Sequence, residues 1–190
     1  MTFTLRSRLG EFTVEPLDVP AHAADLHAWI THPRSVFWGM PTADLAAVRR
    51  EYERLDADPH HHCWLGRLDG VPLFLTETYQ PAQSELAAHY PVRDGDVGMH
   101  VLVAPPAATE PPRHGLTSAV LRTVMEFIFA DDRHLRVVVE PDVRNTAIAA
   151  RNAEAGFVVE REIQLSDKVA RLSFCTRADY AASLIGRENR

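Results

Sequence analysis

The 190-residue chain is 46% apolar and carries 26 acidic against 20 basic side chains, a net charge of −6. That apolar share fills the core of one globular domain spanning residues 1–190, while the acidic balance speaks against a general nucleic-acid binder but leaves room for an anionic ligand held by local Arg, His and backbone amides. Two distant cysteines exclude a disulfide framework, and no stretch reaches the roughly 18 apolar residues of a membrane helix or forms the apolar centre of a secretory leader, so a cytoplasmic protein with reduced thiols is expected.

Phe12 to Leu17 alternates apolar and polar residues, as a strand does. A turn over Asp18–Pro20 leads into a helix over Ala21–Ile30, which His32-Pro33 ends. The loop Ser35 to Pro41 is dense in large apolar residues and suits either core or the floor of a pocket. Thr42 to Asp56 is a helix, with Leu45, Val48, Tyr52 and Leu55 at helical spacing. Strands over His62–Leu68 and Val71–Tyr79 flank Asp69-Gly70, a hairpin signal. A polar loop follows, and then a strand over Val97–Ala104.

Pro105 to Pro112 is a connection too rich in proline to stay in a sheet. Leu116 to Phe129 is an amphipathic helix, and the apolar run Arg136 to Glu140 reads as a strand covered on both faces. Asn145 to Ala155 is a helix stopped by Gly156. Phe157–Leu165 and Val169–Cys175 form an antiparallel pair, and Ala178–Leu184 a last short helix. The order predicts an α/β fold, a mixed sheet with helices on both faces.

Asp96 to Phe157 carries the chemistry. His100 and Asp142 are polar residues at strand positions, and the turn Pro112–Thr117 opens onto a helix whose first N–H groups suit a phosphate. These residues resemble the GCN5-related N-acetyltransferase superfamily, through the strand–turn–helix at Gly115 and the spacing from Asn145 to Gly156-Phe157. The strings Phe37-Trp38-Gly39-Met40, Gly98-Met99-His100 and Glu140-Pro141-Asp142-Val143-Arg144-Asn145 are similar to its hydroxamate-siderophore branch, the aerobactin-type hydroxylysine acetyltransferases and mycobactin lysine N-acyltransferases.

The resemblance implies an acyl-CoA N-acyltransferase acting on an N-hydroxylated lysine, ornithine or diamine, with acetyl-CoA as donor and other siderophore-assembly enzymes as partners. It assigns His100 as general base and Asp142 as its orienting or substrate-binding partner. Coenzyme A would lie against Leu102, Val103, Arg113, His114, Gly115, Leu116, Thr117, Ser118 and Asn145, and Trp38, Met40 and Tyr90 would line the acceptor pocket. An imidazole suits the proton step because its pKa lies near working pH, and the oxyanion donor would be a backbone N–H near Val101 or Leu102.

Two positions depart from the superfamily pattern. Pro112 supplies no N–H to the turn, and Asn152 stands where many relatives have a Tyr that protonates the leaving thiolate. The residues also permit plainer roles, with Asp142 building a turn after Pro141 and Arg144-Asn145 capping the next helix. Rival readings are an acetyltransferase for an aminoglycoside or a protein N-terminus, served by an acidic region around Glu77, Glu85, Asp94 and Asp96, and a catalytically silent acyl-CoA-binding domain. No metal site is expected, because His60-His61-His62 and Cys63 alternate across a strand and cannot all converge on one ion.

Overall fold

The computed structural model describes residues 2–106 and 113–187. Pro112 and most of the proline-rich connection lie outside the described residues. In chain order the elements are β1 (Phe3–Ser7), β2 (Gly10–Pro16), α1 (Val19–Ile30), α2 (Leu45–Asp56), β3 (His61–Leu68), β4 (Val71–Tyr79), β5 (Asp96–Val103), α3 (Leu116–Phe129), β6 (Arg136–Val139), α4 (Thr146–Glu154), β7 (Val158–Gln164), β8 (Val169–Thr176), α5 (Arg177–Ala182) and α6 (Leu184–Arg187). The strand order is β1-β2-β3-β4-β5-β6-β8-β7, an eight-stranded mixed sheet. The chain divides into two compact units, Met1–Glu77 with Val101–Leu116, and Thr78–His100 with Thr117–Arg190.

In the first unit, β1 pairs antiparallel with β2, and β2 with β3. The residues of β1 alternate between half-buried and exposed, a weak pattern that the sequence alone does not flag. Asp69 and Gly70 both have positive φ, the backbone that a two-residue hairpin between β3 and β4 demands. The Asp69 carboxylate also accepts from the Glu11 N–H at 2.8 Å, which ties this turn to β2. Asp18 and Asp44 cap α1 and α2 by accepting from the N–H groups of Ala21 and Ala47. These caps set the helix starts at Val19 and Leu45 rather than at the expected Ala21 and Thr42. The aromatic loop is a 3₁₀ turn over Pro33–Trp38. Leu26, Ile30, Val48, Tyr52, Leu65 and Leu75 form the core, with Trp38 and Met40 packed against it.

In the second unit, β5 and β6 run parallel with Asp96, Val97 and Gly98 opposite Arg136, Val137 and Val138. The ladder stops there, although β5 runs on to Val103 and β6 ends at Val139. β6 pairs antiparallel with β8, and β8 with β7. Val138, Ile163, Leu165, Leu172, Tyr79 and Tyr90 form this unit's core. Asp96 and Arg136, opposite each other in register, are joined by two hydrogen bonds of 2.7 Å, and the Arg136 guanidinium lies 4.3 Å from the centre of the Phe174 ring. Among the described residues no helix is long and apolar enough to cross a membrane.

One glycine in the first unit is a space requirement. A Cβ on Gly66 of β3 would stand 2.0 Å from the fully buried Phe74 ring. Gly66→Ala is therefore expected to lower the unfolding free energy by about 1–3 kcal/mol, as overpacking does, read as a lower denaturant midpoint at unchanged slope.

Candidate active site

The site grows out of an absence. Gly98 has no side chain, and the ring of Tyr79 fills the space: a Cβ there would stand 2.1 Å from Tyr79 Cζ. Two residues beyond the paired Gly98 and Val138 come His100 and Glu140. By the period of two they face the same way. His100 Nε2 lies 2.6 Å from Glu140 Oε1. Tyr79 donates its hydroxyl hydrogen to Glu140 Oε2 at 2.9 Å, and Lys168 Nζ stands 3.8 Å from Oε1. Lys168 is placed by the tight turn between β7 and β8, where the Leu165 N–H donates to its carbonyl.

Glu140 follows the three valines that end β6 and has its side chain 7% exposed, while His100 is 36% exposed. The carboxylate is thus sealed and the imidazole open to a substrate. Burial opposes ionisation of Glu140, but the charge and hydrogen bond of His100, then Lys168 and Tyr79, outweigh it and hold the carboxyl below the ordinary range. An ionised Glu140 can only accept, so His100 Nε2 carries the hydrogen and Nδ1 is the basic nitrogen. A carboxylate so placed can fix the ring and would stabilise an imidazolium if Nδ1 took a proton.

The contacts differ from the expected pair. The carboxylate that His100 meets is Glu140; Asp142 is taken up by Arg144. Arg144 donates its backbone N–H to Asp142 Oδ1 at 2.8 Å and its guanidinium to both carboxylate oxygens, at 2.9 Å and 2.5 Å. The Arg144 side chain and its backbone N–H pull the Asp142 carboxyl down to about 2. Asp142 builds the turn after Pro141 and bridges antiparallel to Ala170. Asn145 caps α4, accepting from the Ile148 N–H at 3.3 Å, and the buried Asn152 lies within that helix.

Of the expected acceptor residues, Trp38 and Met40 belong to the first unit and Tyr90 to the second. Trp38 donates from Nε1 to Tyr52 Oη at 2.9 Å, and Tyr90 is buried with its hydroxyl on Asp96 at 3.1 Å. Trp38 is partly buried against the first unit's core, and Tyr90 is buried in the second. Arg113, His114, Gly115 and Thr117 are exposed before and within the first turn of α3, and Leu116 is half-buried. Gly115 has φ +78°, and a Cβ there would meet Arg8 Nη2 at 3.0 Å, so the turn is an open cradle with a cation beside it. Ser118 accepts from Arg151 at 3.1 Å. Leu102 and Val103 lie on β5 beyond its ladder with β6. Arg8, Tyr79, Glu140, Arg151 and Lys168 are the residues that sequence reasoning did not reach. A glutamate closing a run of three valines, in step with His100, is the signal that was there for Glu140.

The model of the acetyltransferase (GNAT) domain matches residues 18–165. An N-hydroxyputrescine acetyltransferase from Acinetobacter baumannii is 27% identical over 172 residues, covering 89% of this chain and 79% of that protein. The hydroxyornithine transacylase SID3 of Ajellomyces capsulatus is 29% identical over 174 residues, covering 89% of this chain but only 38% of its own length. Among solved structures, an uncharacterized protein from Bacillus halodurans superposes with a TM-score of 0.87 at 22% identity, covering 95% of this chain and 93% of its own. The aminoglycoside acetyltransferase AAC(6')-Ib in complex with coenzyme A gives 0.77 at 21%, covering 90% and 98%.

The depressed Glu140 has a consequence for stability. Its folded-state pKa is below the unfolded value, so the contribution is present above the unfolded pKa of 4.5 and disappears as pH falls through the folded one. Glu140→Gln is expected to be less stable than the wild type at pH 7, with the gap closing as pH drops below the ordinary carboxylate range. Urea unfolding at a series of pH values checks this; a gap that does not change with pH would contradict it.

Proposed function

The chain belongs to the acetyltransferase (GNAT) domain family, enzymes that move an acyl group from coenzyme A to nitrogen, and from that premise we propose that it acylates the hydroxylated nitrogen of a small N-hydroxydiamine or N-hydroxylated basic amino acid in hydroxamate siderophore assembly. The observation that carries this reading is the open imidazole of His100 seated on the sealed, ionised carboxylate of Glu140. Relatives named for N-hydroxyputrescine and hydroxyornithine supply the acceptor class.

The reaction needs a neutral attacking nitrogen and a place for the proton it sheds. An N-hydroxylated amine is less basic than its parent, so it is already neutral at working pH. His100 Nδ1 takes the N–H proton as the new C–N bond forms; the thioester C–S bond breaks with its electron pair leaving on the coenzyme A sulfur, and that thiolate takes its proton from solvent or from the imidazolium, which returns the ring to its neutral form. Glu140 keeps the ring in the required tautomer, and Tyr79 and Lys168 keep Glu140 in place. Asp142 holds the turn that leads into α4.

Coenzyme A supplies the acyl group as a thioester. Its phosphates suit the exposed turn before α3, where Gly115 admits close approach and Arg8, Arg113 and His114 bring donors and charge. Beyond Gly98, Leu102 and Val103 are free of the β6 ladder, as an added extended chain would require. An aminoglycoside acceptor would instead want uncommitted acids. Three of the four acids expected there are engaged: Glu77 accepts from Tyr52, Glu85 from Ser166, and Asp96 from Arg136 and Tyr90, while Asp94 is exposed.

Thiol release from acetyl-CoA with N-hydroxyputrescine, N-hydroxyornithine and N-hydroxylysine, against their unhydroxylated parents, tests the reading. The hydroxylated amines should give kcat/KM higher by roughly tenfold or more; equal rates with the parents would remove the hydroxamate assignment, and coenzyme A binding with no turnover on any amine would favour a silent domain. His100→Ala should retain its fold by circular dichroism and lose about 10²–10⁴-fold in kcat.

A further inference from the structure

A second polar cluster, built from other residues, lies in the first unit. His61 and Cys63 are two apart on β3 and so share a face, and Glu77 reaches them from β4. One ligand atom from each lies within 4.8 Å of the others. His61 Nε2 and Glu77 Oε2 are 3.2 Å apart. Cys63 and Glu77 are buried and His61 nearly so. Strand alternation does forbid three successive histidines and Cys63 from meeting on one ion, but it leaves this same-face pair, which a residue of the adjacent strand completes.

We propose that His61, Cys63 and Glu77 form a binding site for one divalent transition-metal ion of the zinc class. Imidazole, thiolate and carboxylate are the donors such ions take, and three protein ligands leave a fourth position for water or another donor. Tetrahedral bonds to nitrogen, oxygen and sulfur place neighbouring ligand atoms about 3.3–3.6 Å apart, so from a spread of 4.8 Å the cluster needs a contraction of about 1.5 Å at most. The charges also close: a carboxylate and a thiolate cancel the 2+ ion, which makes the buried site neutral.

The surroundings support the carboxylate in that role. Tyr52 donates to Glu77 Oε1 at 3.1 Å, and Trp38 donates to Tyr52, so Oε1 is occupied and Oε2 is turned toward His61. This is the outer layer that orients a metal-binding carboxylate. Cys63 lies in the field of the negative charges of Glu77, Asp56 and Glu51. Those same charges favour a cation. On binding, the Cys63 S–H bond breaks, its proton goes to solvent, and the sulfur's electron pair passes to the metal.

The test uses the full-length protein, stripped with a chelator and titrated with Zn(II) against a chromophoric competitor, and with Co(II) by absorption. The expected result is one ion per chain and a near-ultraviolet thiolate-to-cobalt charge-transfer band. Both should be lost in Cys63→Ser and His61→Ala and kept in His62→Ala, whose exposed side chain is on the other face. Cobalt bound without the thiolate band, a band that survives Cys63→Ser, or no ion retained by the wild type would overturn the proposal. The wild-type spectrum decides by itself if a variant fails to fold.

Discussion

A carboxylate buried behind a run of three valines cannot stand alone, and the second unit is arranged to answer that constraint. Removing a carboxylate from water costs several kcal/mol unless hydrogen bonds and opposite charge replace the lost solvation. Glu140 receives Tyr79 on one oxygen and His100 on the other, with Lys168 close by. Each partner has its own structural cause. Tyr79 fits because Gly98 has no side chain; His100 arrives because the register of β5 and β6 brings it level with Glu140; Lys168 is carried by the turn between β7 and β8. The same set of contacts that makes burial of the charge tolerable also fixes the tautomer of an exposed imidazole. Stability and chemistry share one residue.

Each unit contains a buried glutamate that accepts from a tyrosine and meets a histidine. In one it is Glu77 with Tyr52 and His61; in the other it is Glu140 with Tyr79 and His100. The two sets differ in exposure and in their further neighbours. His61 is 16% exposed and has a buried thiol beside it, while His100 is 36% exposed and its carboxylate has a lysine. The first set is closed and donor-rich, as a cation site should be. The second is open on the imidazole side, as a base must be.

Much of the fold could be read from the chain because its signals are local. The Asp69-Gly70 hairpin, the helical spacing of α2 and α3 and the valine run of β6 all depend on residues a few positions apart. β1 escaped notice because an edge strand buries only half of each alternate side chain. The carboxylate that meets His100 escaped for a different reason. Glu140 and Asp142 are both acids near the end of one strand, and the difference between them is a register of two residues and one neighbouring arginine. Arg144, next to Asp142 in sequence, neutralises it through a local turn, whereas Glu140 is engaged by residues 28 to 61 positions away. A local pattern can suggest the first and has no access to the second.

The measurement that goes most directly to this account is kcat for Glu140→Gln and Asp142→Asn, determined side by side with saturating acetyl-CoA and a hydroxylated diamine. If the imidazole works on Glu140, the Glu140 variant loses most of its turnover because the ring loses its tautomer and its counter-charge. The Asp142 variant then keeps kcat within a few-fold of wild type and shows its change in stability. The reverse order, with Asp142→Asn inactive and Glu140→Gln near wild type, would contradict the assignment of Glu140 and restore Asp142 as the partner of His100.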